Sequence, residues 1–414
     1  MNKKIQIIIA AMAIVIAASI SVGAIITINA AARQYAEKST QNALRLEVTK
    51  ENKLDDFRTD EKIKQFEDEI NEYDKQYREL DDKLYLSGET AAKYYQAQMD
   101  EIALKRYHLK YELAEYRYKQ SENKTYSNYS DKMNSYELEK EAYGYYEQLM
   151  LYELDSEYVE YFQKLIEYLN ENIEVKQTQL DAGYAMDIDV EAEKVELSSA
   201  QADLLQYKND MKYIKNYLST VSGMPFQSFS EITTSEPSRS TAEEAFKKNY
   251  IESEYKKSQM NDLTGYAAEL EALSFDIVNY AALSPYRLYP IDEDIIKELN
   301  ALSDELNSEA ALQRSYISRI RLEIKQYEAS VSLYIDRLFG ELEVYKAKLK
   351  AKENEISVAK EQVRINDLLL ESGKIIPAEL TKSETELKLL RTEKKALETE
   401  IQKICYKLSN GIYQ

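Results

Sequence analysis

Residues that break or bend a chain are scarce here: nine glycines and five prolines in 414 residues. An average chain carries about 7% and 5% of them. A sandwich, a barrel or a doubly wound α/β fold needs many turns, and so few breakers cannot supply them. Cysteine occurs once, as Cys405 in an apolar helical stripe, which excludes an intrachain disulfide and leaves a buried thiol. Histidine also occurs once. His108, in RYHLKYELAEY, reads as a helix-surface residue, and one imidazole cannot build HExxH, a Cys/His zinc site or a histidine-based triad. No glycine-rich phosphate loop is present. Positive charge is short as well: 54 Lys and Arg against 74 Asp and Glu give a net charge of −20, and an acidic surface repels nucleic acid. The expectation is a non-enzyme without cofactor or metal.

What is present is charge (31% of residues) and tyrosine (36 of them), the make-up of long solvated helices. The first 32 residues differ. Lys3 and Lys4 precede an uncharged run from Ile5 to Ala32, which closes in Ala30-Ala31-Ala32 before Arg33. A basic start, an apolar stretch and small residues describe an export signal cleaved after Ala32. The run is also long enough to stay as a membrane anchor. Either outcome puts the remainder outside the cytoplasm, in the cell envelope or at a membrane.

Beyond Arg33 the pattern predicts helices over 41–85, 89–182, 188–221, 241–282, 293–372 and 378–410. A kink or a short loop is expected in the polar stretch Ser121–Ser130 (SENKTYSNYS). The only linker-like composition runs from Gly223 through Pro225 to Arg239. The chain thus divides into an export segment (1–32), a first helical half (33–222), a linker (223–240) and a second helical half (241–414).

The halves are duplicates. A shift of 190 residues lays Gly183 on Gly373, Leu180 on Leu370 and Leu218 on Leu408. Ahead of the glycines, Tyr152, Val159, Ile166 and Ile173 fall on Leu342, Leu349, Ile356 and Val363. After them, Val190, Leu197, Leu204 and Met211 fall on Leu380, Leu387, Lys394 and Ile401. A heptad seam on both arms of one glycine turn describes an antiparallel coiled-coil hairpin. Each glycine supplies the left-handed residue that ends a helix; Asp187 is placed to cap the first returning helix, and Pro377 suits the first turn of the second. Lengths suggest that 188–221 and 241–282 stack end to end beside 293–372, and that 41–85 pairs with 378–410.

The two turns resemble the tips of the TolC family of outer-membrane efflux ducts. The family pattern is met by Gly183, Asp189, Val190, Leu197, Ala200, Leu218 and Gly223. Its second copy is Gly373, Glu379, Leu380, Leu387, Leu390, Leu408 and Gly411. The resemblance implies an all-α fold of two half-repeats that closes into an α-barrel as a homotrimer. It also implies tips (Gly183, Tyr184, Asp187, Asp189, Val190; Gly373, Lys374, Pro377, Glu379, Leu380) that dock a membrane-fusion adaptor protein working with an inner-membrane transporter. This chain departs from the family where two β-strands enter each half: 86–89 and 284–292 are too short for spanning strands, so little or no β is expected.

Function under this resemblance is passive export of small molecules or peptides. The alternative is a membrane-anchored extracytoplasmic coiled-coil scaffold with no conduit. Asp181, Asp187, Asp189, Glu371 and Glu379 are candidates for an acidic ring at the tip; ordinary capping carboxylates explain them with less. Tyr143, Tyr145, Tyr146, Tyr152, Tyr158 and Tyr161 are expected between helices with hydroxyls toward water.

Overall fold

A computed structural model describes residues 60–222 and 234–413, and among them every regular element is a helix. Helix α1 covers 60–86. It is followed by α2 (Glu89–Asp181), α3 (Asp187–Ser222), α4 (Arg239–Lys248), α5 (Ile251–Ala282), a 3-10 turn (Ser284–Tyr286), α6 (Glu293–Glu371) and α7 (Pro377–Asn410). No strand occurs among the described residues, as the short connections foretold. No described helix is long and apolar enough to cross a membrane; the run from Ile5 to Ala32 and most of the linker lie outside the described residues.

Contacts divide the chain into two units, and each draws on both sequence halves. One holds 136–222, 234–249 and 331–413; the other holds 60–135 and 250–330.

In the second unit the helices are linked in the order α1, α2, α5, α6. Arg106 and Arg117 of α2 reach Asp74 and Glu67 of α1, each at 2.7 Å. Tyr118 stacks on Tyr266 of α5 at 4.6 Å, and Ser274 of α5 meets Ser303 of α6 at 2.7 Å. The core is Ala103, Ala267, Leu270, Ile277, Leu299 and Leu306, all inaccessible to water. Each of the larger side chains among them stabilises the fold by roughly 1.5–3 kcal/mol.

The short loop that the composition of Ser121–Ser130 allows does not form, because α2 stays helical through it. Asp262 of α5 accepts from Ser121 Oγ (2.6 Å) and Thr125 Oγ1 (2.7 Å), and Tyr129 packs on Tyr255 at 4.5 Å. The polar residues have partners on another helix, so they form a seam and not a weak point.

In the first unit the order is α3, α2, α7, α6. The α2–α3 hairpin is antiparallel: Phe162 and Tyr158 face Tyr207, and Leu149 faces Ile214 and Leu218. Glu393 and Lys394 of α7 pair with Lys352 and Glu353 of α6. Between the hairpins, α7 presents the buried residues Ala378, Thr385, Thr392 and Thr399, seven apart, to α2. Small side chains let the backbones approach, and Thr385 and Thr392 donate to the carbonyls of Lys164 (3.4 Å) and Glu157 (3.3 Å). Beside them runs an ion-pair ladder: Lys388 with Glu157 and Glu160, Lys395 with Glu153, Lys403 with Glu147 and Lys164 with Glu384. Such partly exposed pairs contribute about 0–1 kcal/mol each, so their main effect is to fix the register.

Two further expectations are corrected. The segment 241–282 is not one helix: it breaks between Lys248 and Ile251, where Asn249 Nδ2 donates to the carbonyls of Asn410 (2.9 Å) and Gly411 (3.1 Å). Within this unit α4 lies against the C-terminal end of α7. Gly411 makes the approach possible, since a Cβ there would lie 2.4 Å from the Ala245 carbonyl oxygen. The tyrosines do pack between helices, as with Tyr146 stacked on Tyr406 at 4.5 Å. Yet the Tyr143 hydroxyl points away from water, buried without a hydrogen-bond partner, and burial pushes its pKa up.

The 283–292 connection is held by a buried carboxylate. Asp100 accepts from Arg287 Nη1 (2.8 Å), Tyr280 Oη (2.9 Å) and Gln96 Nε2 (3.0 Å), while Arg287 lies 4.3 Å over the Tyr280 ring. Burial dominates and holds the Asp100 pKa above the usual carboxylate range, with these donors opposing it. Removing Arg287 leaves the charge uncompensated, so Arg287→Ala is expected to lose about 3 kcal/mol at pH 7. A carboxyl whose folded pKa is raised takes up its proton more readily in the folded state. The deficit relative to the parent therefore shrinks as pH falls from 7 to 5, read by urea denaturation at each pH. A deficit that grows on acidification would contradict this assignment.

Candidate functional site

The two glycine turns are built alike, bond for bond. In the first, Gly183 has φ 79° and its N–H donates to Leu180 O (2.9 Å), while the Tyr184 N–H donates to Gln179 O (2.8 Å). In the second, Gly373 has φ 67°, its N–H donates to Leu370 O (2.9 Å) and the Lys374 N–H to Leu369 O (2.9 Å). These crossed bonds are the Schellman motif, which needs a left-handed residue after the helix and so selects glycine. The 190-residue duplication thus reaches individual hydrogen bonds.

The returning helices start one residue earlier than expected, which changes the cap. Asp187 is the first residue of α3 and is exposed; it does not cap it. Asp189 Oδ2 instead accepts from the N–H of Met186 at 2.9 Å, closing the turn from inside the helix. In the second copy Pro377 opens α7 as expected, with Ile376 before it and no side-chain cap. Val190 and Ala378 are buried, Leu380 is half-buried, and Asp187, Lys374 and Glu379 are exposed. Of the remaining acidic candidates, Asp181 accepts from Gln177 Nε2 (3.1 Å), and Glu371 is the exposed last residue of α6.

Both turns lie at the same end of the first unit. Lys164 of α2 stands opposite Thr385 of α7, and from there α2 runs on to Gly183 while α7 runs back to Gly373. At 1.5 Å per residue the turns lie about 28 Å and about 18 Å beyond that contact, so the first projects about 10 Å further. No hydrogen bond or ion pair joins one turn to the other among the described residues. Sequence reasoning missed part of the apolar surface here: besides Tyr184 (87% exposed), the first turn displays Met186 and Ile188, and the second displays Ile376. The available signal was phase, since Met186 and Ile188 fall off the Val190–Leu197 seam.

Elsewhere, His108 is exposed on α2, and Cys405 is buried with its thiol pushed up to about 11 by burial. No group of three or more metal-ligating side chains is assembled among the described residues.

No family model and no curated protein sequence matches the chain. Solved structures do resemble it. A membrane protein from Pseudomonas aeruginosa is 11% identical, with a TM-score of 0.48 over 72% of this chain and 73% of that one. CusC, in a structure concerned with transmembrane channel formation, is 12% identical, with a TM-score of 0.36 over 84% and 88%. The outer membrane protein VceC from Vibrio cholerae is 12% identical, with a TM-score of 0.34 over 75% of each chain.

Gly183 and Gly373 have open space where a Cβ would stand, so Gly183→Ala and Gly373→Ala carry only the conformational cost of a left-handed residue, about 1 kcal/mol. Gly411→Ala adds a backbone clash and is expected to cost at least twice as much. Equal urea midpoints for the three variants would overturn that ranking. Asp189→Ala is expected to speed amide exchange at Met186 roughly five- to tenfold, equivalent to about 1 kcal/mol, with Asp187→Ala leaving it unchanged.

Proposed function

We propose that this chain is a subunit of a TolC-like export duct in the cell envelope. Three copies enclose a lumen, and the turns at Gly183 and Gly373 form the end that docks an adaptor's helical hairpin. The observation that carries the reading is the pair of hydrogen-bond-matched turns at one end of a four-helix array. A scaffold has no use for two such tips side by side, whereas a docking end that repeats around a ring does. The exposed Tyr184, Met186, Ile188 and Ile376 give that end an apolar surface for a partner helix.

The array supports the same reading through its edges. It begins with α3 and ends with α6, so it does not close on itself, and the edges are available to other copies. The two sequence halves, 33–222 and 241–414, act as half-repeats around the linker 223–240, and the first 32 residues direct export or anchor the chain. Transport is passive: the adaptor and an inner-membrane transporter select small molecules or peptides, and the duct supplies a polar passage. Asp181 and Asp189 work locally on their own turns, and the exposed Asp187, Glu371 and Glu379 give that end an acidic rim.

Electron microscopy of the purified protein, with sedimentation, tests this reading. Trimers with hollow end views are expected. A monomer at micromolar concentration, or a solid rod, would contradict the duct.

A further inference from the structure

Toward the end of α3, about 45 Å from the Gly183 turn, α2 and α3 part around a cleft of about 410 Å³. Gly144 and Tyr145 of α2 line it with Tyr213 and Tyr217 of α3, and Glu141 and Glu147 complete the wall. The Tyr217 ring stands nearly parallel to those of Tyr145 (6.1 Å) and Tyr213 (6.3 Å). That spacing is wider than the 4.7 Å of Tyr158 on Tyr207 in the same hairpin, so here the aromatic stack has opened. Burial, with the Tyr217 hydroxyl beside it, pushes the Tyr145 phenol up and keeps it uncharged.

Gly144 lies inside a 93-residue helix, where glycine weakens the structure. A Cβ there would meet no atom within 4 Å, so packing does not ask for glycine. The matched residue 190 positions on is Tyr334, buried against Phe246 (5.9 Å) and Tyr413 (5.1 Å). One copy fills this position with a ring and the other leaves it open. The α7 side of α2 shows which chemistry suits the opening. Lys403 and Lys407 of α7 are the residues matched to Tyr213 and Tyr217. Lys403 pairs with Glu147 (3.5 Å), and Lys407 Nζ lies 5.2 Å over the Tyr143 ring. There α2 holds two ammonium groups with a carboxylate and a tyrosine face. On its α3 side it offers Glu141 and Tyr145, yet rings stand in place of the two lysines, and no lysine or arginine lines the cleft.

We propose that the cleft binds an organic cation carrying apolar groups, of the quaternary ammonium class. The faces of Tyr145, Tyr213 and Tyr217 attract the charge. The apolar groups occupy the space over Gly144, and the exposed Glu141 supplies countercharge, with Glu147 shared with Lys403. An inorganic cation gains little, because no three ligating side chains come together among the described residues. The site lies within one chain and does not require the proposed assembly.

Ligand-observed NMR titration of the full chain with phenyltrimethylammonium tests the site, with tert-butylbenzene as the neutral molecule of the same shape. The cation is expected to bind at least tenfold more tightly than the hydrocarbon. Gly144→Tyr fills the cleft and changes no charge, and it is expected to weaken cation binding at least tenfold. The double variant Tyr213→Lys, Tyr217→Lys places the α7 residues at two exposed positions, leaves the urea midpoint near that of the parent, and is expected to abolish binding. Equal binding of the two probes, no binding of the cation, or binding that survives either variant overturns the proposal. A monomer that binds the cation and loses it in both variants overturns the duct and leaves the cleft standing. A hollow trimer that fails these titrations overturns the cleft alone.

Discussion

The close approach of α7 to α2 is the contact on which the other features depend. Each half of the chain makes a hairpin by itself, through a left-handed glycine and a heptad seam. Nothing in either hairpin decides where the other lies. The threonine and alanine positions of α7, seven residues apart, are small enough for its backbone to sit against α2, and two of the threonines donate to α2 carbonyls. The lysine–glutamate ladder beside them penalises a slip of one turn by bringing like charges together. Fixing that register brings both bends to one end.

Polar and aromatic groups do work in this fold that apolar side chains do in most. Asp262 holds a stretch of α2 that would otherwise read as a break, and Asp100 ties the turn between α5 and α6 to the body of α2. Tyrosine stacks fill the space between helices, with Tyr118 on Tyr266 at 4.6 Å and Tyr158 on Tyr207 at 4.7 Å, their planes almost parallel. Such contacts suit helices that must bury one face and still show a wet one, since a tyrosine has both an apolar body and a polar tip.

Local chemistry was legible from the residues alone. Gly183, Gly373, Pro377 and the heptad positions marked the two hairpins, their ends and their equivalence. The features that escaped are the ones whose cause lies far along the chain. The break at Asn249 has neither glycine nor proline to announce it, because its partners are the carbonyls of Asn410 and Gly411. Ser121–Ser130 reads as a loop until Asp262 is known to face it. At the first tip, one residue of error in the start of α3 moved the capping role from Asp189 to Asp187.

Placement of both bends at one end is tested most directly by an intrachain distance. Spin labels at Tyr184→Cys and Lys374→Cys, in a Cys405→Ala chain diluted with unlabelled copies, report it by pulsed electron resonance. Adjacent helices about 10 Å apart and an axial offset of about 10 Å predict a separation of roughly 15–30 Å. Bends at opposite ends of hairpins this long would give about 50 Å or more, and that result would contradict the account.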